Sequence, residues 1–459
     1  MNNEKNNISR RNFLRTAALA AGAVAITGCA TREKDDKKTA TAEKKNPGKM
    51  TMRVNSSTGD SVSVLGFGCM RYPLVDGPDS EIDREAVDEL IDYAMAHGVN
   101  YYDSSPVYCK GESEKVTGES LSRYPRDSYF VATKLSNFAP DNYPKERSIE
   151  MFKRSLKYFK TDYIDYYLLH SVGGGGLETM HARYIDNGIL DYLKEQRANG
   201  TIRNLGFSYH GDIATFNELL KMHDDGEVHW DFVQIQLNYV NWEHPAESNG
   251  ITAQWLYDEL AKRNIAVVIM EPLLGGRLAN VPQNVHNKMK ERRPDSSPAS
   301  WAFRFAAQPG VLTVLSGMTY MEHLQDNVAT YSELEPLTEE ETDFILRCGK
   351  TIAEADTVPC TACSYCMPCP YGINIPAIFA HYNKCVNEDN LPLDKRDPNY
   401  VEARKAYLIG YDRAVEKLRQ ADRCISCGTC VSACPQSINI PKQLARINDY
   451  TERLKQEKL

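Results

Sequence analysis

Two patterns of hydrophobic and polar residues alternate along the centre of the chain. Short, continuous apolar runs are typical of buried strands, and the amphipathic stretches between them have the helical period. The strand-like runs are 63–70, 100–104, 129–135, 163–170, 203–208, 232–239, 266–273 and 311–317. The helix-like stretches include 84–97, 145–159, 188–199, 212–223, 253–264 and 297–308. The alternation predicts an α/β fold, a parallel (β/α)8 TIM barrel, with a doubly wound open sheet as the alternative.

The ends of the predicted strands carry candidate catalytic residues. No G-x-G-x-x-G turn follows the first strand-like run, which disfavours the open sheet. In parallel barrels the active site lies at the C-terminal ends of the strands. Asp103 and Tyr108 follow the second run, Lys134 lies in the third, and His170 ends the fourth. Each has an ordinary structural explanation by itself, but four such side chains at consecutive strand ends predict one catalytic site.

Two cysteine runs in the last quarter of the chain predict iron–sulfur clusters. Cysteines 424, 427, 430 and 434 have C-x2-C-x2-C-x3-C-P spacing, in which the fourth cysteine binds a second cluster. The required partner is the run of cysteines 360, 363, 366 and 369, and both runs continue into Ile-Asn-Ile-Pro. The repeat resembles the two-cluster ferredoxin family, and zinc is the alternative. We predict a mainly helical ferredoxin-like domain over residues 336–459 with two [4Fe–4S] clusters.

The fourth ligands are expected to cross between the runs. One cluster would use Cys360, Cys363, Cys366 and Cys434, and the other would use Cys369, Cys424, Cys427 and Cys430. The first run departs from the family spacing, because two residues rather than three separate Cys366 from Cys369. Four further cysteines, at 69, 109, 348 and 385, are expected to be small buried apolar side chains.

The N-terminus has the features of an export leader. Twin arginines at 10 and 11 precede an apolar run at 16–26, which favours twin-arginine (Tat) export, and the run is too short to span a membrane. The sequence Ile-Thr-Gly-Cys29 resembles a lipobox, so residues 1–29 are predicted to be a signal peptide and Cys29 a lipidated anchor. Residues 30–49 are polar and predict a flexible tether. We therefore expect a membrane-anchored lipoprotein on the extracytoplasmic side.

Composition sets outer limits on function. The 459 residues suffice for two domains beyond the leader, and 25% charged with 42% hydrophobic residues is ordinary for a globular protein. The net charge of −8 disfavours a nucleic-acid partner.

From about residue 52 to residue 331 the sequence resembles the aldo/keto reductase family. Residues 98–108, Gly-Val-Asn-Tyr-Tyr-Asp-Ser-Ser-Pro-Val-Tyr, look like the family's G-x-N-x-x-D-T-A-x-x-Y. The segments ending at Lys134 and His170 also match the family. The resemblance implies a barrel domain over 50–335 that interconverts a carbonyl and an alcohol by hydride transfer with NADP or NAD. The family often grips the NADP 2′-phosphate with Lys or Arg after the eighth strand, and residues 311–333 contain neither.

The resemblance also assigns roles. Tyr108 would be the general acid, with Lys134 lowering its pKa, Asp103 holding Lys134 charged, and His170 orienting the substrate oxygen. Gln236 would lie under the nicotinamide amide near Ser208 and Asn238, while Tyr239 would stack on the ring. The other expected cofactor residues are Pro272, Leu273, Gly275, Leu278, Ser316, Gly317, Met318 and Asn327.

Two functions follow from these patterns. The first is an exported oxidoreductase that couples carbonyl or alcohol chemistry in the barrel to electron transfer through two clusters, with a membrane electron-transfer partner. Nicotinamide nucleotides are not supplied outside the cytoplasmic membrane, so the first function requires the nucleotide to be retained and recycled. The alternative is a membrane-tethered electron-transfer protein whose barrel is a non-catalytic scaffold or binding module.

Overall fold

The structure is a computed structural model that describes residues 48–76, 80–245 and 250–459. The predicted signal peptide 1–29, its anchor Cys29, and the predicted tether up to residue 47 lie outside the described residues. Within the described ranges, no helix combines the length and the apolar character needed to cross a membrane.

Eight parallel strands close into a barrel, as the sequence predicts. A short antiparallel hairpin precedes them, formed by β1 (Met52–Val54) and β2 (Ser61–Ser63). The barrel strands are β3 (Leu65–Gly68), β4 (Tyr101–Asp103), β5 (Phe130–Leu135), β6 (Ile164–Val172), β7 (Ile202–Tyr209), β8 (Phe232–Gln236), β9 (Ala266–Met270) and β10 (Val311–Ser316). Each strand pairs with its neighbour in sequence, and β10 pairs with β3 to close the barrel.

Helices alternate with the strands around the barrel. They are α1 (Arg84–Ala96), α2 (Ser113–Leu121), α3 (Lys145–Phe159), α4 (Gly176–Met180), α5 (Ile189–Ala198), α6 (Ile213–Asp224), α7 (Ala253–Lys262), α8 (Gln283–Arg292), α9 (Pro298–Ala306) and α10 (Met321–Tyr331). The six helices predicted from periodicity are all present. Several begin where a side chain caps the first turn: Asp83, Asp212, Thr252 and Ser297 each accept a hydrogen bond from a backbone N–H three residues later.

The interior of the barrel is filled by large side chains. Tyr101, Tyr166, Leu168, Phe232 and Val268 are fully buried and form one cluster. The barrel is therefore a packed core rather than a pore, and ligands can reach only the loops at its ends.

One further helix packs against the barrel. Helix α11 (Glu339–Ala353) places Phe344, Ile345, Cys348 and Ile352 in the main barrel core. The predicted domain boundary between residues 335 and 336 comes before this helix, so packing groups α11 with the barrel instead of with the cysteine-rich part.

The C-terminal segment, residues 354–459, has its own small core. It contains α12 (Ile375–Asn387), α13 (Tyr400–Ala414) and α14 (Ile440–Lys455), which bury Phe379, Tyr407 and Ile447 together. The internal repeat is visible in the helix starts, because Asn374 caps α12 and Asn439 caps α14 with the same side-chain bond to the N–H three residues on. The cysteines lie in the loops that lead into these two helices.

Candidate active site

Three of the four predicted catalytic residues form a compact buried group at the C-terminal ends of β4 and β5. Lys134 Nζ donates to Asp103 Oδ1 at 2.5 Å and to the carbonyl oxygen of Ser104 at 2.6 Å. Lys134 is 1% exposed and Asp103 is 2% exposed, so the pair is desolvated. Burial raises the pKa of Asp103, and the Lys134 ammonium opposes that shift. Lys134 Nζ also lies over the Tyr108 ring, 4.8 Å from its centroid.

Tyr108 is directed inward by a turn with unusual backbone. It opens a 3₁₀ turn (Tyr108–Gly111) in which Cys109 and Lys110 have φ values of 49° and 57°. Consecutive non-glycine residues in the left-handed region are unfavourable, and such strain is found preferentially at functional sites. In this turn the Tyr108 side chain is buried beside Lys134, and Lys110 faces the opening at the C-terminal end of the barrel.

In this arrangement the attraction of the Lys134 ammonium for the phenolate does not bring the pKa of Tyr108 below its ordinary value. Burial raises the pKa of Tyr108 well above its ordinary value, and Tyr365 and Asp103 raise it further. The physical reason is geometric, because the Lys134 ammonium is turned toward Asp103 and Ser104 and lies over the face of the ring. Tyr108 is therefore a protonated phenol at neutral pH, which suits a proton donor.

His170 completes the group as a neutral imidazole. Burial lowers its pKa well below the usual value, and the nearby Lys134 and Arg183 cations lower it further. Its Nδ1 lies 2.6 Å from Ser136 Oγ. If the Ser136 hydroxyl donates to Nδ1, then Nε2 carries the proton and faces the site as a donor. The Arg183 guanidinium donates to the His170 carbonyl oxygen at 2.7 Å and fixes the backbone there.

A residue from the C-terminal segment lies between Tyr108 and His170. The Tyr365 hydroxyl is 3.4 Å from His170 Nε2 and hydrogen-bonds to Tyr108. Its oxygen occupies the place where both groups would bind a substrate oxygen. Sequence analysis did not identify Tyr365, because it is one of the residues between Cys363 and Cys366 and nothing in that run indicates a contact with a residue 195 positions away.

A cavity of about 1880 Å³ adjoins this group. Its walls include Tyr108 and Arg183 from the barrel, and Tyr365, Cys363 and Cys434 from the C-terminal segment. Small-molecule sites usually measure roughly 300–1,000 Å³, so the cavity has ample space for a small substrate. A molecule bound there would touch both the phenol and the loops that carry the cysteines.

The residues predicted for the nicotinamide end are engaged by the chain itself. Gln236 is 8% exposed, and its amide oxygen accepts a hydrogen bond from Gln436, two residues after Cys434, at 3.0 Å. Asn238 is fully buried, and its side chain joins two neighbouring loops by donating to Asn241 in its own loop and to the carbonyl of Glu271 in the next. Ser208 accepts from the Ser171 N–H at 2.8 Å.

Tyr239 is not at the surface of the mouth. Its ring is fully buried and packs edge-on against Phe305, with centroids 6.3 Å apart. The structure therefore presents no face of Tyr239 for stacking on a nicotinamide ring.

The predicted dinucleotide loops are also covered. A methyl group added at Gly275 would lie 2.0 Å from the carbonyl oxygen of Thr361, so the two backbones are in direct contact. Arg277 donates to the Thr357 hydroxyl at 2.7 Å. Arg71 donates to the Thr361 carbonyl at 2.6 Å, and its side chain also packs against Gly317.

The other predicted cofactor residues have structural roles in this arrangement. Pro272, Leu278 and Met318 are buried, Leu273 packs against the barrel core, and Asn327 donates to Ser316 at 2.9 Å. The C-terminal segment thus contacts the predicted dinucleotide surface at Gln236 and at Gly275.

The eight cysteines of the two runs fall into two groups. Cys360, Cys363 and Cys366 each lie near Cys434, and these four are called the inner cysteine group. Cys430 lies near Cys424, Cys369 and Cys427, and these four are called the outer cysteine group. The ferredoxin spacing predicts the same two sets as the ligands of two clusters, and that assignment stays a prediction.

The two groups are adjacent but differ in exposure. Cys366 of the inner group is close enough to Cys430 of the outer group for the latter to raise its pKa. Cys363 and Cys434 of the inner group line the cavity beside Tyr108, whereas Cys427 of the outer group is exposed. No three Cys, His, Asp or Glu side chains within residues 48–76, 80–245 and 250–459 converge as for a single metal ion. A four-iron cluster instead takes one thiolate at each of four irons.

Two protein-family models match the chain. Residues 64–349 match the model described as the aldo/keto reductase family, which spans all eight barrel strands and most of α11. Residues 359–440 match the model described as a 4Fe-4S dicluster domain, which spans both cysteine runs.

Curated relatives and solved structures cover the barrel part. The chain is 28% identical to L-galactose dehydrogenase of Arabidopsis thaliana, over 63% of this chain and 90% of that protein. It is 25% identical to NADH-specific methylglyoxal reductase of Escherichia coli (strain K12), over 60% and 91%. The aldo-keto reductase AKR11C1 from Bacillus halodurans (holo form) superposes with a TM-score of 0.52 at 23% identity, over 65% of this chain and 96% of that one. A Klebsiella pneumoniae aldo/keto reductase in complex with NADP and acetate gives 0.50 at 22% identity, over 65% and 95%.

Proposed function

The chain belongs to the aldo/keto reductase family, and from that membership we propose that it is an iron–sulfur oxidoreductase that interconverts a carbonyl and an alcohol at the barrel mouth. The observation that supports this most directly is the convergence of a buried Lys134–Asp103 pair, a protonated Tyr108 and a neutral His170 on one point beside a cavity. A scaffold barrel has no need for a desolvated ion pair at that point, because burying charge is costly.

The proposed chemistry of these residues is proton transfer and orientation. A substrate oxygen would take the place of the Tyr365 hydroxyl and accept hydrogen bonds from Tyr108 and from His170 Nε2. Substrate binding therefore requires the Tyr365 side chain to move away from this position. Tyr108 would then give its proton to the oxygen as the carbon is reduced, with the Lys134 ammonium over its ring stabilising the phenolate that forms.

The cysteine arrangement fits two [4Fe–4S] clusters. The inner group would hold one cluster and the outer group the other, with one thiolate for each iron. When bound, each cluster would supply a one-electron redox centre in the range accessible to ferredoxins.

The names of relatives bear on the substrate and on the electron donor. L-galactose dehydrogenase and NADH-specific methylglyoxal reductase act on small molecules with a carbonyl or hydroxyl group, and a structural neighbour was solved with NADP. By analogy we propose a small carbonyl compound, or the corresponding alcohol, as the substrate. Two electron sources are compatible with family membership: a nicotinamide, which the sequence predicts, and the two clusters.

The proposal includes a location. The twin-arginine motif and the lipobox-like Cys29 support export followed by lipid anchoring at the outer face of the cytoplasmic membrane. Replacing Arg10 and Arg11 by lysine is expected to leave the protein in the cytoplasm, and Cys29→Ser is expected to release the exported protein from membranes. Membrane retention of the Cys29→Ser variant after fractionation would contradict the anchor.

The test of the reaction is a hydroxyl deletion with a matched control. Cluster-loaded protein would be assayed anaerobically with small aldehydes and ketones, once with NADPH or NADH and once with a reduced viologen as donor. Tyr108→Phe is expected to lower the turnover at least ~100-fold, the effect of removing a general acid. The control is Tyr167→Phe, because the buried Tyr167 hydroxyl has no hydrogen-bond partner among the described residues.

The same assay separates the proposal from the alternative. Normal cluster loading and cluster reduction, with no carbonyl or alcohol turnover from any donor, would favour an electron-transfer protein with a scaffold barrel. Equal turnover by the Tyr108→Phe variant and the wild type would remove Tyr108 from the reaction.

A further inference from the structure

We propose that the C-terminal segment replaces the nicotinamide in this protein, so that the substrate at Tyr108 receives electrons from the side of the inner cysteine group and not from a bound dinucleotide. This inference rests on the proposed carbonyl or alcohol reaction at the barrel mouth. It adds the class of reductant, a one-electron carrier, and the direction from which electrons arrive.

The first observation is that the C-terminal segment contacts the predicted dinucleotide surface at two places. Gln436 bonds to Gln236 at the nicotinamide end. The Thr361 backbone lies against Gly275 at the middle, whereas Gly317 at the far end is exposed and lies beside the barrel residue Arg71. These contacts come from both cysteine runs, so displacing one loop would uncover only part of the surface.

The second observation concerns the cavity. It is bounded by Tyr108 on the barrel side and by Cys363 and Cys434 on the other side. None of the residues predicted to hold a nicotinamide, all of which the structure describes, forms part of its wall. The space next to the proton donor therefore extends to the inner cysteine group, and a substrate beside Tyr108 would lie close to a cluster held there.

The third observation is that the two cysteine groups differ in their exposure and in their distance from the cavity. Cys363 and Cys434 of the inner group border the cavity, and Cys427 of the outer group is exposed. Exposed apolar side chains flank that end: Ile425 is 59% and Tyr371 47% exposed. A protein electron carrier can therefore approach the outer group, while the inner group is reached only through the protein or the cavity.

The reaction balances without a hydride donor. A carbonyl takes up two electrons and two protons to become an alcohol. The electrons would come from two molecules of an external one-electron carrier of low potential, or of a reduced viologen in the assay. One proton would come from the Tyr108 hydroxyl to the oxygen, and the other from water in the cavity to the carbon. Because electrons arrive singly, the preferred substrates would be carbonyls that tolerate a one-electron-reduced state, such as α-dicarbonyls.

The experiment is an anaerobic titration of the cluster-loaded mature protein, residues 30–459, with NADPH and separately with NADH. Visible absorbance near 400 nm would report cluster reduction, and nucleotide fluorescence would report binding. We expect no bleaching and no saturable binding up to millimolar nucleotide, whereas a reduced viologen should bleach the clusters fully. The denatured supernatant of the purified protein should contain no NAD or NADP.

Either of two results would overturn the inference: saturable binding of NADPH or NADH in the micromolar range, or cluster bleaching by either nucleotide. Both readouts need no substrate, so a failure to find carbonyl turnover would count against the proposed function without affecting this result. A Gln236→Ala variant serves as the internal check on binding. If a nucleotide did bind as in other members of the family, this change would weaken it, and if none binds the titration stays flat.

Discussion

The contact between Gly275 and Thr361 allows a direct test of whether the C-terminal segment rests on the barrel in solution. An alanine methyl at 275 would lie 2.0 Å from the Thr361 carbonyl oxygen, too close for any packed pair of atoms, so one backbone has to shift. Overpacking of this kind costs about 1–3 kcal/mol. The adjacent Gly276 is the matched control, since a methyl there meets nothing within 4 Å.

Both glycines have positive φ, so backbone strain opposes alanine in both variants. Gly275 is at φ 67°, near the left-handed region that alanine can adopt, and Gly276 at φ 97° is farther from it, so the strain is no smaller at Gly276. A larger effect at Gly275 therefore comes from the clash. At about 1.4 kcal/mol for each factor of ten, a clash of about 1–3 kcal/mol shifts the equilibrium between docked and undocked segment by about 5- to 150-fold.

Hydrogen exchange followed by mass spectrometry measures this shift. Peptides covering residues 357–366 are expected to exchange faster by that factor in Gly275→Ala, while peptides from β5 and β6 should not change. Gly276→Ala should leave residues 357–366 close to wild type. Equal exchange of this segment in the two variants would show that it does not lie against Gly275 in solution, and the coverage of the dinucleotide surface would fall with it.

Three other outcomes are expected. Lys134→Met leaves Asp103 buried without its counter-charge and should lower the free energy of unfolding by about 3–5 kcal/mol in chemical denaturation. Adding Asp103→Asn should recover part of that loss, and no recovery would contradict the buried pair. Because burial raises the pKa of Tyr108, carbonyl reduction should show no alkaline decline below about pH 10, and a decline near neutrality would mean a phenol with an ordinary or lowered pKa. Reduction in D₂O with a viologen donor should place deuterium on the carbinol carbon, whereas reduction by added NADPH or NADH would place protium there by hydride transfer.

The barrel and its proton-handling group were accessible from the sequence because both are local patterns. Each strand is a short apolar run, and each of Asp103, Lys134 and His170 follows or ends such a run, so the parallel topology brings them together without further information. The two cysteine groups were likewise accessible, since the crossing of the fourth ligand is a rule of the repeat itself.

The covering of the barrel mouth was not accessible from the sequence. Tyr365 reaches His170 across 195 positions and Gln436 reaches Gln236 across 200, and no periodicity or motif encodes contacts at such separations. In the same region the family resemblance predicts that Tyr239 and Gly275 contact a cofactor, and that role stays a prediction. In this protein Tyr239 is packed in the core, and Gly275 lies so close to the Thr361 backbone that a side chain at 275 would clash with it.

The position of Tyr365 connects the two halves of the protein physically. It lies between Cys363 and Cys366 of the inner group, and its hydroxyl bonds to Tyr108 and faces His170. Any movement of the inner cysteine loop therefore moves the group that occupies the substrate-oxygen position, and any substrate that displaces Tyr365 must disturb that loop. Tyr108 is buried and Tyr365 is half-buried, and both line the cavity. Substrate binding and the environment of the inner group are thus coupled, and this coupling is the reason to expect that a substrate will alter the inner cluster's spectrum even before any electron is transferred.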